Sequence, residues 1–496
     1  MNSKGREMMS RSAHTFLSKK KQMAGMTIGA IAMLAMAVPA LSQETSGTDE
    51  AFQLTLVYGL NNTNIGNPTG VTGLVSFDIS WVDDTLHKYY LADRSNKSID
   101  ILDLSVFPPA LTQVVNTGFT GFTGNNDKSG PDGLATVNNH TELWVGDATP
   151  GTGQGRVWFL KATDASVLPT SASIPQNPLS IPGTTTRADE FCYDSKDNLV
   201  MIASPAESPP FVTFIDTVGH KIVGKLIFDG NHDNAPNATN GLEQCGWSPS
   251  TGKFYQNVPA INGPDGQDTV AGAIAVIDPK KMTVDKLLHI PLEDCAGPQG
   301  MAIGPDDQIL EGCNAAGPNG HRNSVVVSAK NGKILAVLQD LGGADEVWFN
   351  PGDGHYIIPS CNTACRTRPT GFVLTFDEVL GLVDSSTLQL DQTIFVASQN
   401  GNTTVGTGNP RTIHSVAADA GNPQQIILPI PATGGNTPQF GPPAPGQTLC
   451  DKTGAGISAI GSPSSAGGCI VVLFAPQNND QLASSAKERG NDDKQQ

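Results

Sequence analysis

Residues 89–103 read YYLADRSNKSIDILD and contain the pattern that decides the fold. An apolar segment ends at Asp93, a polar turn follows around Asn96, and an alternating segment runs from Ile99 to Asp103. Two such segments joined by a short polar turn are typical of an antiparallel β-hairpin. The pattern recurs at residues 211–226 (FVTFIDTVGHKIVGKL), 273–288 (AIAVIDPKKMTVDKLL) and 324–338 (SVVVSAKNGKILAVL). The sequence therefore predicts a repeated hairpin unit.

A second motif recurs upstream of the hairpins. It consists of a polar loop, an acidic or polar residue, and a short apolar strand that ends near Asp, Asn or Pro. Successive copies are separated by between 47 and 68 residues, which suits one four-stranded blade per copy with loop insertions. We therefore predict an all-β fold, a seven-bladed β-propeller of four-stranded antiparallel blades. The seven repeated polar residues are Asp78, Asp132, Glu190, Glu243, Gln299, Glu346 and His414.

The composition of the 496 residues agrees with this architecture. The chain has 54 Gly and 35 Pro, which supply the turns that many short strands require. Only 16% of its residues are charged, which excludes a coiled coil. A net charge of -17 argues against nucleic acid as a partner, because phosphate binding needs clustered Lys and Arg.

The first forty-two residues have the pattern of an export signal. Three Lys at 19–21 precede an apolar run over residues 23–41, and small residues stand at positions 40 and 42. This order predicts a secretory signal peptide cleaved before Gln43. An uncleaved anchor is the alternative, since a run of about nineteen residues can span a bilayer. We expect residues 1–42 to be the signal, 43–476 a single propeller domain and 477–496 a disordered polar tail.

Export sets the expected compartment and partners. Residues 1–42 hold six Lys or Arg and one Glu, so cleavage would change the net charge from -17 to -22. We expect a periplasmic or extracellular protein, monomeric and free of the membrane after cleavage. Its partner would be a small-molecule ligand or another protein.

Eight cysteines are present, and an oxidising compartment permits them to form disulfides. Their spacing favours local pairs, and the remaining two could either bridge neighbouring blades or stay as buried thiols. No pair has the C-x2-C spacing of a zinc site. The expected local pairs are Cys295 with Cys313, Cys361 with Cys365, and Cys450 with Cys469, which leaves Cys192 and Cys245.

The blades resemble those of the YVTN-type propellers, whose repeat ends in a valine-isoleucine-aspartate hairpin. The strict tetrapeptide is absent, and the resemblance covers roughly residues 75–475 in pattern. More broadly, the chain is similar to exported six- and seven-bladed propellers that include lactonases, gluconolactonase-like metal hydrolases, streptogramin lyases and NHL-repeat binding proteins. This superfamily contains enzymes and binders, so the resemblance implies architecture and leaves the function open. The matching segments are Tyr90-Leu91-Ala92-Asp93 with Asp103, and Ala275-Val276-Ile277-Asp278.

The seven repeated polar residues are expected to surround one mouth of the central channel. Carboxylate and amide oxygens are ligands that Ca²⁺ and Mg²⁺ prefer, so we predict a metal site for one of these ions. The alternative is that these polar side chains face the water of the channel and bind no metal. The predicted metal ligands are Glu190, Glu243, Glu346 and Asp132, with Asp78, Gln299, Arg187 and Arg411 lining the channel or contacting substrate. The two guanidinium groups would either pair with channel carboxylates or bind an anionic substrate.

Two functions remain open from the sequence. In the first, a bound divalent ion polarises a carbonyl and His414 acts as general base, as in a lactonase-like hydrolase or lyase. In the second, the propeller binds a ligand or protein without catalysis. Signatures of nucleophilic or zinc catalysis, G-x-S-x-G and H-E-x-x-H, are absent from the sequence.

Overall fold

Seven sheets follow one another along the chain in the computed structural model. The signal and tail predictions, together with Arg411, Cys361 and Cys365, lie outside the described residues. The structure describes residues 52–60, 73–149, 154–339, 341–360, 366–367, 376–398, 413–421, 424–432, 448–451, 457–464 and 467–475.

The first five sheets each contain four antiparallel strands in chain order, after an initial strand β1 (Gln53–Tyr58) that joins the last sheet. Blade one contains β2 (Ser80–Asp83), β3 (Lys88–Asp93), β4 (Ser98–Asp103) and β5 (Ala110–Val115). Blade two contains β6 (Leu134–Val137), β7 (Glu142–Asp147), β8 (Arg156–Lys161) and β9 (Leu179–Ser180). Blade three contains β10 (Phe191–Asp194), β11 (Leu199–Ser204), β12 (Phe211–Asp216) and β13 (Lys221–Ile227). Blade four contains β14 (Cys245–Ser248), β15 (Lys253–Val258), β16 (Ala273–Asp278) and β17 (Thr283–His289). Blade five contains β18 (Ala296–Ile303), β19 (Gln308–Ala315), β20 (Ser324–Ser328) and β21 (Ile334–Leu338).

The last two sheets have a fifth strand each. Blade six contains β22 (Trp348–Asn350), β23 (His355–Ser360), a short β24 (Arg366–Thr367), β25 (Phe376–Asp384) and β26 (Leu390–Ser398). Blade seven contains β27 (Ala417–Asp419), β28 (Gln425–Ile430), β29 (Ser458–Ile460), β30 (Cys469–Phe474) and β1. Short 3₁₀ turns at Asn126–Lys128, Pro305–Asp307 and Leu449–Asp451 are the helical elements of the described ranges.

The innermost strands close into a ring. Each of β2, β6, β10, β14, β18 and β22 contacts the innermost strand of the next blade, and β27 contacts both β22 and β2. Seven blades therefore surround one axis, and the prediction of an all-β seven-bladed propeller is confirmed. Radial packing of this kind buries both faces of each twisted blade and leaves only short edges.

Blade seven joins the two ends of the described chain. β1 pairs antiparallel with β30, with Val57 opposite Val471, and β28 pairs with the other edge of β30. The first and last described strands therefore close the ring within one blade. β29 adds to the outer edge in parallel to β1, a departure from the purely antiparallel blade that we predicted.

The four quoted hairpins are real but not equivalent. Residues 89–103 form the second and third strands of blade one, whereas residues 211–226, 273–288 and 324–338 form the third and fourth strands of their blades. Every consecutive pair of strands in an antiparallel blade shows the same apolar-turn-apolar pattern, so this pattern alone does not give the phase of the repeat.

Three disulfides are formed among the described cysteines, none of which is free. Cys295–Cys313 and Cys450–Cys469 are the pairs that their spacing predicted. Cys192–Cys245 joins the innermost strands of blades three and four. These two cysteines therefore bridge neighbouring blades and are not buried thiols. Disulfides fit an oxidising compartment. Within the described ranges, no helix is long and apolar enough to cross a membrane.

Candidate functional site

The channel mouth is formed by the segments that lead into the innermost strands. In four blades, the residue at the same place donates its backbone N–H to a carbonyl of the second strand. This bond gives the phase of the repeat and identifies Asp189, rather than the expected Glu190, as the counterpart of Asp78. The four bonds are Asp78 to Ala92 (3.0 Å), Asp132 to Gly146 (2.9 Å), Asp189 to Ala203 (2.9 Å) and Glu243 to Asn257 (3.2 Å).

Glu190 lies one residue further along, yet its side chain also points into the channel. Its carboxyl group is hydrogen-bonded to that of Glu346. These residues come from blades three and six, which are not neighbours, so the contact crosses the channel. Asp189 and Glu190 therefore both face inward. Both precede the first residue of β10, Phe191, so the two-residue alternation of a strand does not apply to them.

One half of the channel mouth is neutralised by two buried arginines. Arg94 lies in the turn between β3 and β4, and its Nη2 is 2.6 Å from Asp78 Oδ2. Its Nε also donates to Asp132 Oδ1 at 2.8 Å. Arg187 donates through Nε to Asp189 Oδ2 at 2.6 Å. Of the two roles expected for Arg187, pairing with a channel carboxylate is therefore the one observed.

Arg94 is a channel-mouth residue that the sequence pattern does not reveal. The only sequence signal is a lone Arg in the first hairpin turn, DRSNKS, where a solvent-exposed side chain is the ordinary interpretation. In the fold, the residue is 2% exposed and contacts two carboxylates from different blades. Only the placement of blade one beside blade two reveals this role.

The other half of the channel mouth carries an excess of carboxyl groups. Glu243 accepts a hydrogen bond from Gln299 Nε2 at 3.1 Å, and Asp345 and Glu346 approach from blade six. Burial, followed by the neighbouring carboxylates, raises the pKa of Glu190, Glu243 and Glu346. In total, seven described carboxyl groups face two guanidinium groups: Asp78, Asp132, Asp189, Glu190, Glu243, Asp345 and Glu346 against Arg94 and Arg187.

His414, the expected general base, lies at the edge of this cluster. Its ring stacks on Phe77 with 4.6 Å between ring centroids. Its Nε2 is 3.9 Å from Asp78 Oδ1, and its positive form would lower the pKa of Asp345. The imidazole therefore reaches the carboxylates from blade seven while one of its faces is covered.

Several buried polar atoms at the channel mouth lack a hydrogen-bond partner in the described protein, namely Glu346 Oε2, Asp132 Oδ2, Asp189 Oδ1 and Arg187 Nη1. A buried polar group without a partner is costly, so such atoms point to bound water or a ligand. Within the described ranges, no three His, Cys, Asp or Glu side chains are already arranged around a common metal position. The donor chemistry nevertheless fits a hard cation, since every acidic member offers oxygen.

No protein-family profile and no curated protein matches the chain. Among solved structures, it is similar to a chain of the mitotic checkpoint complex, with 10% identity over 89% of this chain and 99% of that chain and a TM-score of 0.48. The β-propeller domain of Cps50 (Swd1) from Myceliophteria thermophila has 8% identity over 82% and 98%, with a TM-score of 0.48. Hydrazine synthase of Kuenenia stuttgartiensis has 15% identity over 62% and 79%, with a TM-score of 0.39. Similarity at this level carries no argument about function, so the evidence for the propeller is the sheet topology itself.

Proposed function

We propose that the acidic half of the channel mouth binds a hard divalent cation, Ca²⁺ or Mg²⁺, and that the protein is a metal-assisted hydrolase or lyase for lactone- or ester-type small molecules. The observation that carries the proposal is the excess of buried carboxyl groups over guanidinium groups at this position. Without a cation, these groups repel one another and must retain protons, as their raised pKa values indicate.

The proposed ligands are Glu190, Glu243 and Glu346. Asp132, which the sequence suggested as a fourth ligand, is left out because Arg94 already occupies one of its oxygens. Gln299 would orient Glu243 through the hydrogen bond from its amide. The three glutamates would hold the ion in the channel. The channel aspartates would not compete for it, because they are paired with Arg94 and Arg187.

A bound Ca²⁺ or Mg²⁺ would supply Lewis acidity toward a substrate carbonyl oxygen. His414 is the proposed proton acceptor, since a neutral imidazole nitrogen can accept a proton and this ring reaches the edge of the cluster. Its stacking on Phe77 would fix the ring plane and leave the opposite face toward the channel. We also propose that the protein is exported and that it belongs to the lactonase-like superfamily of propellers.

Metal analysis of the purified full chain tests this proposal. We expect a divalent ion to co-purify, its removal by EDTA to change the melting temperature, and Ca²⁺ or Mg²⁺ to restore it. Glu346→Gln should weaken that response, whereas Glu207→Gln, a carboxylate bound to Thr185 and Thr186 outside the cluster, should not. Activity on a panel of lactones and esters should be lost in His414→Ala with metal still bound. A metal-free protein with no response to Ca²⁺, Mg²⁺ or EDTA would contradict it.

A noncatalytic binding propeller is the second candidate. It is favoured by the position of His414, which packs on Phe77 and lies 3.9 Å from Asp78 Oδ1, contacts that would hold the ring in place. On this interpretation the metal would stabilise the mouth or recruit a ligand or a protein partner. Metal binding together with inactivity on the whole panel, and an unchanged biological role of His414→Ala, would favour it over the enzyme.

A further inference from the structure

A second pair of buried carboxyl groups lies in blade one, away from the proposed metal ligands. Asp93 ends β3, and Asp100 lies in β4 diagonally opposite, on the same face of the sheet. Both residues are fully buried, and their carboxyl groups are hydrogen-bonded to each other. Two adjacent carboxylates without a nearby cation cannot both be ionised, so this contact requires a proton.

The surrounding donors show which carboxyl group carries the charge. Asp93 accepts hydrogen bonds from the backbone N–H of Asn96 at 3.1 Å and from its Nδ2 at 2.5 Å. Asp100 Oδ1 accepts one from Ser98 Oγ at 2.9 Å, and the Gln113 side chain is a second hydrogen-bonding neighbour of Asp100. Asp93 also accepts from the backbone N–H of Ser95, which gives it three donors against two. Asp93 is therefore the carboxylate, and Asp100 carries the proton that it donates to Asp93.

The turn that the pair closes also carries Arg94. The backbone of this turn is held by Asp93 through Asn96, while the Arg94 side chain extends to Asp78 and Asp132. Any movement of the turn is therefore transmitted to the arginine half of the channel mouth.

We propose that Asp93 and Asp100 share one proton, and that this proton holds the β3–β4 turn and Arg94 in place, so that the turn loosens as the pH rises. Burial raises the pKa of Asp93 to about 6 and that of Asp100 further. Asp93 therefore ionises first, and the remaining proton stays on Asp100 up to its higher pKa. Because the folded state binds this proton more tightly than the unfolded chain, the stabilisation is present at low pH and is lost as the pH rises through the raised pKa of Asp100.

Other titratable groups near the pair do not change charge in this range. The face of blade one that carries the pair packs on blade seven, and its described titratable side chains are Tyr89 and Tyr58. Burial raises the pKa of both phenols above its usual value. Their hydroxyl groups are bound to Ser80 Oγ and the Pro109 carbonyl oxygen, respectively. Arg94 remains charged throughout.

The test compares wild type with Asp100→Asn between pH 5 and pH 9 in EDTA. The Asn amide can donate to Asp93 and its oxygen can accept from Ser98, so this variant imitates the protonated pair at every pH. We expect the melting temperature of wild type to fall relative to the variant by about 2 °C or more between pH 6 and pH 8. Asp103→Asn is the control, because it alters a partly exposed carboxylate of the same strand. Its melting temperature should differ from that of wild type by the same amount at every pH.

The position of Arg94 is followed separately by the Nε–H resonance in ¹⁵N-arginine-labelled protein, assigned with Arg94→Lys. This resonance should shift or broaden across the same pH range in wild type and stay constant in Asp100→Asn. A wild-type resonance independent of pH, or a parallel change in both proteins, would overturn the proposal. A second result would also overturn it: the difference in melting temperature between wild type and Asp100→Asn does not depend on pH, and K⁺ or Ca²⁺ raises the melting temperature of wild type alone. The pair would then hold a cation.

Discussion

The carboxyl groups of Glu190 and Glu346 meet across the central channel, from blades three and six, through a hydrogen bond between two acids. Each residue is 5% exposed. Burial raises the pKa of both, and the neighbouring charge of Asp189 adds to this for Glu190, as the charge of Glu190 does for Glu346. At least one proton or one cation must therefore accompany this pair in the folded protein.

Glu346→Gln should stabilise the metal-free protein at alkaline pH. Both raised pKa values mean that wild type loses stability as the pH rises through them, since the folded protein must give up a proton that it binds more tightly than the unfolded chain. The variant removes one ionisable group, so we expect it to gain about 1–3 kcal/mol over wild type at pH 9 in EDTA. Urea unfolding at pH 5 and pH 9 measures this. A difference that is the same at both pH values would rule out the shared-proton explanation.

Arg94→Met should destabilise the protein by about 3–5 kcal/mol at pH 7, because it leaves the buried Asp132 and the partly buried Asp78 without their counter-ion. The loss should shrink toward pH 4, because burial raises the pKa of Asp132 and this carboxyl group becomes protonated as the pH falls. Arg94→Lys retains the charge and is the matched control, with a smaller loss expected. Urea unfolding at both pH values distinguishes loss of charge from loss of packing, which would not depend on pH.

Glu311→Gln should be nearly neutral at pH 5, within about 1 kcal/mol, and stabilising at pH 9. Glu311 is fully buried in β19, with the Asn257 side chain as its hydrogen-bonding neighbour, and burial raises its pKa well above the usual value. The folded protein therefore holds this group as a neutral acid, which glutamine imitates. The free energy of unfolding of Glu311→Gln at the two pH values is the measurement. Glu293→Gln, at an exposed site in the preceding segment, is the control. Strong destabilisation by the glutamine at pH 5 would show that Glu311 is ionised.

Replacing Cys192 and Cys245 by Ser should cost about 4 kcal/mol, more than the about 3 kcal/mol expected for the Cys295 and Cys313 pair. The first disulfide spans 53 residues and the second 18, and the entropy removed from the unfolded chain grows with the length of the closed loop. Denaturant unfolding of the two double variants, beside wild type with and without reductant, provides the measurement. The reverse order of losses would mean that strain or packing outweighs loop entropy.

Removing the residues before Gly59 should abolish cooperative unfolding or lower the melting temperature sharply. β1 supplies five cross-strand partners to β30, and Val57 and Tyr58 are fully buried in blade seven. Its loss would expose the edge of β30 and open the ring. Removal of residues 1–42 alone is the control and should leave the transition unchanged. Calorimetry of both truncated proteins decides whether the first strand is a necessary part of the last blade.

The sequence alone determined the class of fold. Apolar segments alternating with Gly, Pro, Asn and Asp turns can bury their faces only in repeated antiparallel sheets, and seven copies of one motif set the number of blades. Spacing also predicted two disulfides correctly, because short loops bring their ends together. These properties are local or periodic, so they can be read from residues close together in the chain.

Only the tertiary structure decided which side chains meet. The sequence placed Glu190 in the position that the backbone hydrogen bonds assign to Asp189, because adjacent acids before a strand look alike until the strand pairing is known. Arg94 looks like a surface turn residue until blade two brings Asp132 against it. The contact between Glu190 and Glu346 depends on closure of the ring across the channel. Charge neutralisation and proton sharing are set by distances between blades, and hydrophobic periodicity contains no information about those distances.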